Sequence, residues 1–226
     1  MKQLFKDLFL LFFPQLCLGC QKELLDTTQV ICFSCELGLS LNYMPLKKGC
    51  FHFPDPRKNW SIDCGFYLYY FKEKQGIETL LYALKYQGNR KVDTFLGQKL
   101  ADTIAESPLH FDGIIGVPLH PLRLFNRGYN QVDLIGKCAG EVLKIPYYPS
   151  ILKRKKNTPA LSKTRQDRQK LMSNAFQINT KQRLKKGHYL IIDDIFATGA
   201  TLNACIKILN KQPGISLSIG VIAYRN

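Results

Sequence analysis

The chain has 226 residues, of which 46% are hydrophobic and 22% are charged, a composition that excludes wholesale disorder and a collagen-like fibre. This length leaves room for one sizeable domain and a small additional segment. Lysine and arginine number 32 against 17 acidic residues, and the resulting formal net charge of +15 makes polyanions, phosphates first, the expected partners.

The N-terminal stretch contains one apolar run, from Leu8 to Phe13. It is far shorter than the roughly 20 residues that a membrane-spanning helix needs, so we expect no transmembrane segment. The run leads into Pro14 and Cys17 rather than a small-residue cleavage site, which favours an amphipathic helix over a secretory signal. Disulfide-stapled secreted scaffolds are usually shorter than this chain, so its cysteines predict a reducing, cytoplasmic compartment.

Four cysteines form two C-x-x-C pairs, Cys17 with Cys20 and Cys32 with Cys35, which are separated by eleven residues. Each pair can wrap its turn so that backbone amides face the sulfurs. Four thiolates would close a tetrahedral shell around a structural Zn²⁺ and leave no open position for catalysis. Two disulfides or unligated thiols are the alternatives. The spacing favours a zinc ribbon that folds a segment too small to hold itself together.

Strand and helix patterns alternate in the rest of the chain. Continuous apolar runs at 114–117, 189–192 and 217–223 are typical of strands buried on both faces, and 65–71 is extended in character. Helices are predicted around 77–84, 92–105, 130–142 and 201–210. The alternation predicts an α/β domain with a mainly parallel sheet flanked by helices, in which ligands gather beyond the carboxyl ends of the strands.

These patterns divide the chain into three predicted regions. Residues 1–46 would hold the N-terminal helix and the zinc ribbon, and residues 65–226 would form the α/β domain. Residues 47–64 contain glycine and prolines among mixed polar residues, which is typical of a connecting segment.

The region 189–201 joins a buried strand to a turn of small residues that opens a helix. Backbone amides in this turn and the positive end of the helix dipole would bind a phosphate. Asp193 and Asp194 would accept hydrogen bonds from sugar hydroxyls, so one loop could hold a ribose 5-phosphate. Capping of the next helix is the alternative role for the two acids. The turn residues are Ala197, Thr198, Gly199, Ala200 and Thr201.

This stretch closely resembles the 5-phosphoribosyl-1-pyrophosphate signature of type I phosphoribosyltransferases, with Ala197 where threonine is more usual. Three further motifs are similar to those of the ComF-type competence family. They are Leu84-Lys85-Tyr86-Gln87-Gly88, Val117-Pro118 with Arg123, and Arg127-Gly128-Tyr129-Asn130-Gln131. With the four-cysteine ribbon, the resemblance runs from about residue 16 to residue 223.

The resemblance implies a type I phosphoribosyltransferase-like domain that binds 5-phosphoribosyl-1-pyrophosphate with Mg²⁺. Asp193 and Asp194 would be the catalytic pair that orients the ribose. The diphosphate would meet the loop after Val117 and Pro118, and the cations near it would be Lys85, Arg123 and Arg127. No nucleobase-binding hood or general base is recognisable, so the acceptor and turnover stay open.

The family also implies a role in natural competence, in which incoming single-stranded DNA reaches the cytosol and a competence helicase is a partner. An active phosphoribosyltransferase of nucleotide salvage, or one like an amidophosphoribosyltransferase, is the alternative function. It would release diphosphate on reaction with a nucleophile.

A strongly basic segment between residues 150 and 187 holds twelve lysines and arginines and one acid, Asp167. It is predicted to be a hood that closes over a phosphorylated ligand, a track for single-stranded DNA, or a solvated charged face. The candidate DNA-binding residues are Lys153, Arg154, Lys155, Lys156, Arg165 and Arg168. The aromatic candidates for base stacking, which are more often core residues, are Phe125, Tyr129, Phe176 and Tyr189.

Overall fold

The computed structural model describes residues 12–26, 28–40, 60–71, 76–155 and 175–225. Most of the apolar run at 8–13 lies outside these ranges, as do Lys156, Arg165 and Arg168 of the basic segment. Within the described ranges, no helix has both the length and the apolar character needed to cross a membrane.

Five parallel strands form the main sheet in the order β1-β7-β6-β2-β3, and β4 pairs with β5 in a separate antiparallel hairpin. The strands are β1 (Gly65–Tyr70), β2 (Gly113–Gly116), β3 (Tyr147–Tyr148), β4 (Leu152–Arg154), β5 (Phe176–Ile178), β6 (Gly187–Phe196) and β7 (Ile215–Tyr224).

Helices connect the strands and cover the sheet. They are α1 (Phe33–Ser40), α2 (Ile77–Tyr82), α3 (Arg90–Ala105), α4 (Pro121–Arg127), α5 (Gln131–Leu143) and α6 (Ala200–Leu209), and α2 continues into a π-helical segment (Ala83–Gln87). Two parallel strands that lie side by side need a crossover connection of this kind, because a tight turn can join only antiparallel strands.

The central strand β6 shows why the sheet is covered on both faces. Leu190 and Ile192 belong to a hydrophobic cluster with helices α3 and α5, whereas Tyr189 and Ile191 belong to a second cluster with α6. Successive side chains of a strand point to opposite faces, so a strand covered on both sides reads as a continuous apolar run. The predicted fold class, a mainly parallel sheet flanked by helices and preceded by a four-cysteine segment, is confirmed.

The four-cysteine segment packs directly on helix α3. Its apolar residues Leu24, Val30 and Ile31 join the same hydrophobic cluster as the helix. The Lys91 ammonium donates to Gln15 Oε1 at 2.6 Å, and Lys99 forms an ion pair with Glu36 of α1.

The sheet order brings two predicted loops together at one edge. Strands β2 and β6 are parallel neighbours, and the Val117 amide donates to Ile192 O at 3.0 Å. The sequence predicts a strand that ends at Ile192, but β6 runs on to Phe196, because Ile195 and Phe196 continue to pair with β7. Asp193 and Asp194 therefore lie near the carboxyl end of a strand, not in the turn after it.

Candidate functional site

A cleft of about 610 Å³ opens at the carboxyl ends of β2 and β6. Elements that are distant in sequence meet there: the π-helical segment, the loop after β2, helix α4, the start of α5 and strand β4. Eight of the residues predicted to bind the sugar diphosphate line it, namely Lys85, Val117, Pro118, Arg123, Arg127, Asp193, Asp194 and Thr201.

The two acids of β6 have different environments. Asp194 Oδ2 accepts from Lys85 Nζ at 3.1 Å and from Gln131 Nε2 at 2.9 Å. Burial opposes ionisation of Asp194, but the Lys85 ammonium and the Gln131 amide outweigh it and hold its pKa below the ordinary value. Burial and the neighbouring Asp194 charge raise the pKa of Asp193 well above its usual range. The two neighbouring acids therefore differ in how easily they ionise, and Asp194 is the more acidic.

Gln131 positions the ionised acid. This side chain is buried at the start of α5, and its Oε1 accepts from Arg127 Nη1 at 2.6 Å while its amide donates to Asp194. One glutamine therefore ties a cation of helix α4 to a carboxylate of β6. Gln131 belongs to one of the family-like motifs but is not among the predicted site residues. A buried polar side chain at a helix start is the signal that could have found it.

Asn130 fixes the loop after β2. Its Oδ1 accepts from the Val132 amide at 3.3 Å, which makes it the N-cap of α5. Its Nδ2 donates to Val117 O at 3.3 Å and to Asp133 Oδ1 at 3.0 Å. The Asn130 side chain therefore both caps helix α5 and holds the loop after β2 in place.

The small-residue turn lies between β6 and α6. Gly199 is the N-cap residue of α6 and has a φ of +66°, a conformation that favours glycine, and the Thr198 hydroxyl accepts from the Ala200 amide at 3.4 Å. The alternative role of Asp193 and Asp194 as helix caps is wrong, because both acids lie within strand β6 and the N-cap residue is Gly199. A Cβ at Gly199 would lie 2.7 Å from the Trp60 ring, so the turn also needs glycine for space. Ala197, Thr198 and Ala200 complete the turn beside Thr201.

The basic candidates separate in space. Arg154 lines the cleft, and its guanidinium lies 5.4 Å from the centre of the Phe176 ring. Burial, followed by the positive charge of Arg123, lowers the pKa of Arg154 below its usual value. Lys153 and Lys155 are exposed. Successive side chains of β4 alternate in direction, and this alternation separates Arg154 from its two neighbours.

Two aromatic candidates for stacking belong to the core. Phe176 and Tyr189 are buried, which agrees with the alternative prediction that these aromatic residues belong to the core. The Tyr129 hydroxyl donates to Leu84 O at 2.8 Å, which leaves Phe125 as the exposed ring of the four.

The four sulfurs of Cys17, Cys20, Cys32 and Cys35 lie within 4.8 Å of one another. Cys20 Sγ and Cys32 Sγ are 3.7 Å apart, close to the roughly 3.8 Å edge of a tetrahedral zinc–thiolate shell. A Cβ at Gly19 would lie 2.7 Å from Cys35 Sγ, so glycine is needed for the close approach. The donor set can hold a metal ion.

Backbone amides stabilise a thiolate in this cluster. The amides of Cys32 and Gly19 donate to Cys17 Sγ at 3.2 and 3.4 Å. Burial raises the pKa of Cys17, but these amides and that of Cys20 outweigh it and lower the pKa to about 6. The predicted wrapping of the sulfur by backbone amides is present.

Competence proteins are among the curated relatives of the chain. It is 29% identical over 203 residues to Competence protein F of Haemophilus influenzae, an alignment that covers 87% of this chain and 84% of that protein. It is 35% identical over 95 residues to Competence protein ComFC of Streptococcus pneumoniae, covering 42% of this chain and 40% of that protein. No protein-family model matches the sequence.

Solved structures give more distant likenesses. Adenine phosphoribosyltransferase from Saccharomyces cerevisiae is 19% identical with a TM-score of 0.38, covering 57% of this chain and 69% of that one. Glutamine phosphoribosylpyrophosphate amidotransferase from B. subtilis is 16% identical with a TM-score of 0.40, covering 61% and 30%. At these scores the likenesses support no inference about this chain.

The curated similarity and the sequence motifs agree with each other. Competence protein F matches over most of both chains, and the family motifs at residues 84–88, 117–118 and 127–131 meet in one cleft. The N-terminal cysteines form one cluster, as the spacing of the two C-x-x-C pairs predicts. The chain is similar to ComF-type competence proteins over most of its length.

Proposed function

We propose that the cleft binds 5-phosphoribosyl-1-pyrophosphate. The observation that carries the proposal is the position of Asp194: an ionised carboxylate, oriented by Lys85 and Gln131, at the strand end that leads into the small-residue turn. A carboxylate accepts hydrogen bonds from two vicinal hydroxyls, and the adjacent Asp193 carboxyl group offers a further hydrogen-bond partner. This is the polarity that a ribose requires.

The 5-phosphate of the ligand would bind at the turn before α6. The backbone amides between Ala197 and Thr201 and the positive end of the helix dipole favour an anion at this position.

The diphosphate would bind on the other side of the sugar, near Val117 and Pro118. The cations that line the cleft there are Lys85, Arg123, Arg127 and Arg154. Mg²⁺ would enter with the ligand, because it is commonly held by one or two carboxylates together with substrate phosphates. The cleft offers two adjacent carboxyl groups for this purpose. The ion would neutralise charge on the departing diphosphate if transfer takes place.

We further propose that the four-cysteine cluster holds a structural Zn²⁺ and that the protein acts in natural competence. Both curated relatives are named as competence proteins. The basic segment would bind the phosphates of single-stranded DNA, and a competence helicase is a candidate partner. An active transferase is the alternative, since the acids would also stabilise positive charge that develops on the sugar.

The test of the sugar site is isothermal titration calorimetry of the parent and of the double variant Asp193→Asn with Asp194→Asn. We expect binding of 5-phosphoribosyl-1-pyrophosphate to require Mg²⁺ and to weaken at least about a hundredfold in the double variant, because each hydrogen bond to a charged group contributes about 1.5 to 3 kcal/mol.

The matched control is Asp102→Asn with Glu141→Gln, which likewise replaces two acids by their amides, at exposed positions away from the cleft. Circular dichroism checks that each variant is folded. If the cleft variant binds the ligand as tightly as the parent, the acids do not hold the ribose and the proposed function fails. Release of diphosphate in the presence of a nucleophile would favour the transferase alternative.

A further inference from the structure

Two exposed tyrosines lie at the edge of the cleft, and the proposed contacts to the sugar diphosphate use neither of them. They are Tyr82, at the end of α2, and Tyr86, in the π-helical segment; we call them the tyrosine shelf. We propose that the tyrosine shelf binds the flat face of an unpaired nucleobase, carried by a strand of single-stranded DNA. This inference rests on the proposed function, because the tyrosine shelf would give the bound DNA a base-binding site next to the sugar site.

The shelf exposes a large aromatic surface. Tyr82 is 57% exposed and Tyr86 is 66% exposed, and their ring centres are 5.1 Å apart with an angle of 42° between the rings. Residues four apart lie on the same side of a helix, so the two rings form one continuous surface. Nucleobases stack on such rings without sequence preference, since every base has a π-face.

A cation borders the shelf. The Arg127 guanidinium lies 5.4 Å from the centre of the Tyr86 ring. Its Nη1 donates to Gln131 Oε1 at 2.6 Å, which holds the guanidinium in place over the ring. Single-strand binding sites combine aromatic platforms with nearby positive charge, because a base and its phosphate must be accommodated together. Lys85 adds a second positive charge on the same segment.

The backbone that carries the shelf is anchored to the cleft. The Tyr129 hydroxyl donates to Leu84 O at 2.8 Å and so joins the turn after α4 to the π-helical segment. Local π-helical turns are rare and occur frequently at functional sites. Here the segment turns Lys85 towards Asp194 while Tyr86 lies beside Arg127.

A short chain of contacts connects the shelf to the sugar site. Tyr86 contacts Arg127, Arg127 donates to Gln131, and Gln131 donates to Asp194. Tyr86 itself lines the cleft. A base on the shelf would therefore lie next to the bound ribose. A base within a DNA strand and a free base that accepts the sugar would both stack on the tyrosine shelf in the same way. The experiment must therefore distinguish a DNA strand from a free base or nucleotide as the ligand.

The experiment measures binding of an end-labelled oligothymidine of about 16 nucleotides by fluorescence anisotropy, in parallel with an abasic strand of equal length. The variants are Tyr82→Ala, Tyr86→Ala and Tyr86→Phe, with Phe33→Ala as the control, since Phe33 of the four-cysteine segment is also exposed, at 77%. Thymidine monophosphate is titrated separately, with and without the sugar diphosphate.

We expect each tyrosine-to-alanine change to weaken oligothymidine binding about tenfold, as loss of one stacked base predicts. Tyr86→Phe and Phe33→Ala should bind like the parent, and affinity for the abasic strand should be the same in all variants. Tyr82→Ala should still bind the sugar diphosphate. Binding of thymidine monophosphate that the alanine changes abolish would support the shelf and identify a free nucleotide as its source.

Equal affinity of the parent and both alanine variants for the oligothymidine and the monophosphate would overturn the shelf. So would equal losses for the base-bearing and the abasic strands. Neither result would affect the calorimetric test of the sugar site, so failure of the shelf is distinguishable from failure of the proposed function.

Discussion

Asp93 is buried in helix α3, and within the described ranges its Oδ1 has no hydrogen-bond partner. Burial raises its pKa from 3.8 to about 6, although the nearby Arg90 charge opposes the shift. An acid of this kind costs free energy when it ionises, because the charged oxygen loses water and gains no donor.

Asp93 makes the stability of the protein depend on pH. The folded pKa is higher than the unfolded value, so the folded state holds more protons, and stability falls as the pH rises from about 4 to about 6. The loss amounts to about 1 to 3 kcal/mol and persists at higher pH. Asp93→Asn cannot ionise, so its urea-unfolding free energy should lack this part of the decline.

The control for Asp93→Asn is a second acid on the same helix whose side chain is exposed. Asp102→Asn, an exposed position of the same helix, should retain the pH dependence of the parent. Equal pH profiles for the parent and Asp93→Asn, from unfolding curves between about pH 4 and pH 7, would contradict this account of Asp93.

Individual site residues differ in how far the sequence predicts them. Asp193 and Asp194 stand out because two adjacent acids follow an apolar run. Their opposite pKa shifts could not be predicted, since burial raises the pKa of Asp193, while that of Asp194 is lowered by Lys85 and Gln131 from distant parts of the chain. Tyr86 belongs to a family-like motif, but the sequence does not predict its exposure, because Leu84 in the same segment is buried.

The four-cysteine segment is the element whose stability we expect to depend on a bound metal ion. It is short and exposes several apolar side chains, among them Phe33 and Leu37. Cys32→Ser removes one of four thiolates, so we expect the zinc content to fall from one ion per chain towards none and the segment to lose stability. The sheet domain should stay folded, because most of its core does not involve the cysteines.

Elemental analysis of the purified variants measures this change. Cys138→Ser is the matched control, as this thiol lies on helix α5 and outside the four-cysteine cluster. A Cys32→Ser protein that retains a full complement of zinc would show that the cluster is not the metal site.

Among the elements, length and burial decide what the sequence can predict. The long buried strands β6 and β7 are evident as apolar runs. Helix α4 was not predicted, because none of its residues is buried and it has no apolar periodicity. The hairpin of β4 and β5 was also missed, since its strands have three residues each and lie in a basic segment. The position of Arg154 in the cleft follows from that hairpin.

At the scale of the whole molecule, the net charge of +15 favours binding of nucleic acid. Phosphate contacts release counterions, so affinity for an oligonucleotide should fall linearly on a log–log salt plot, with a slope of about 0.7 per contacted phosphate. Lys153→Glu with Lys155→Glu should weaken binding and make the slope shallower. Binding of the sugar diphosphate should change little, because Arg154 is retained.

Lys207→Glu with Lys211→Glu is the control, as it makes the same charge change at exposed positions on and after helix α6. Anisotropy titrations across a range of salt concentrations provide the slopes. A parent protein that binds no single-stranded DNA at low salt would exclude a DNA track, and equal slopes for the two double variants would assign the effect to net charge alone.

The packing of Trp60 has a practical consequence for spectroscopy. It is the sole tryptophan in the sequence, and its ring lies against Phe196, 5.6 Å between ring centres, and against the backbone of Gly199. Intrinsic tryptophan emission from the protein therefore comes from one place, directly under the small-residue turn. An emission change upon addition of a ligand would report on that turn alone. Loss of metal from the cysteine segment, which is packed elsewhere, would change the tryptophan emission very little.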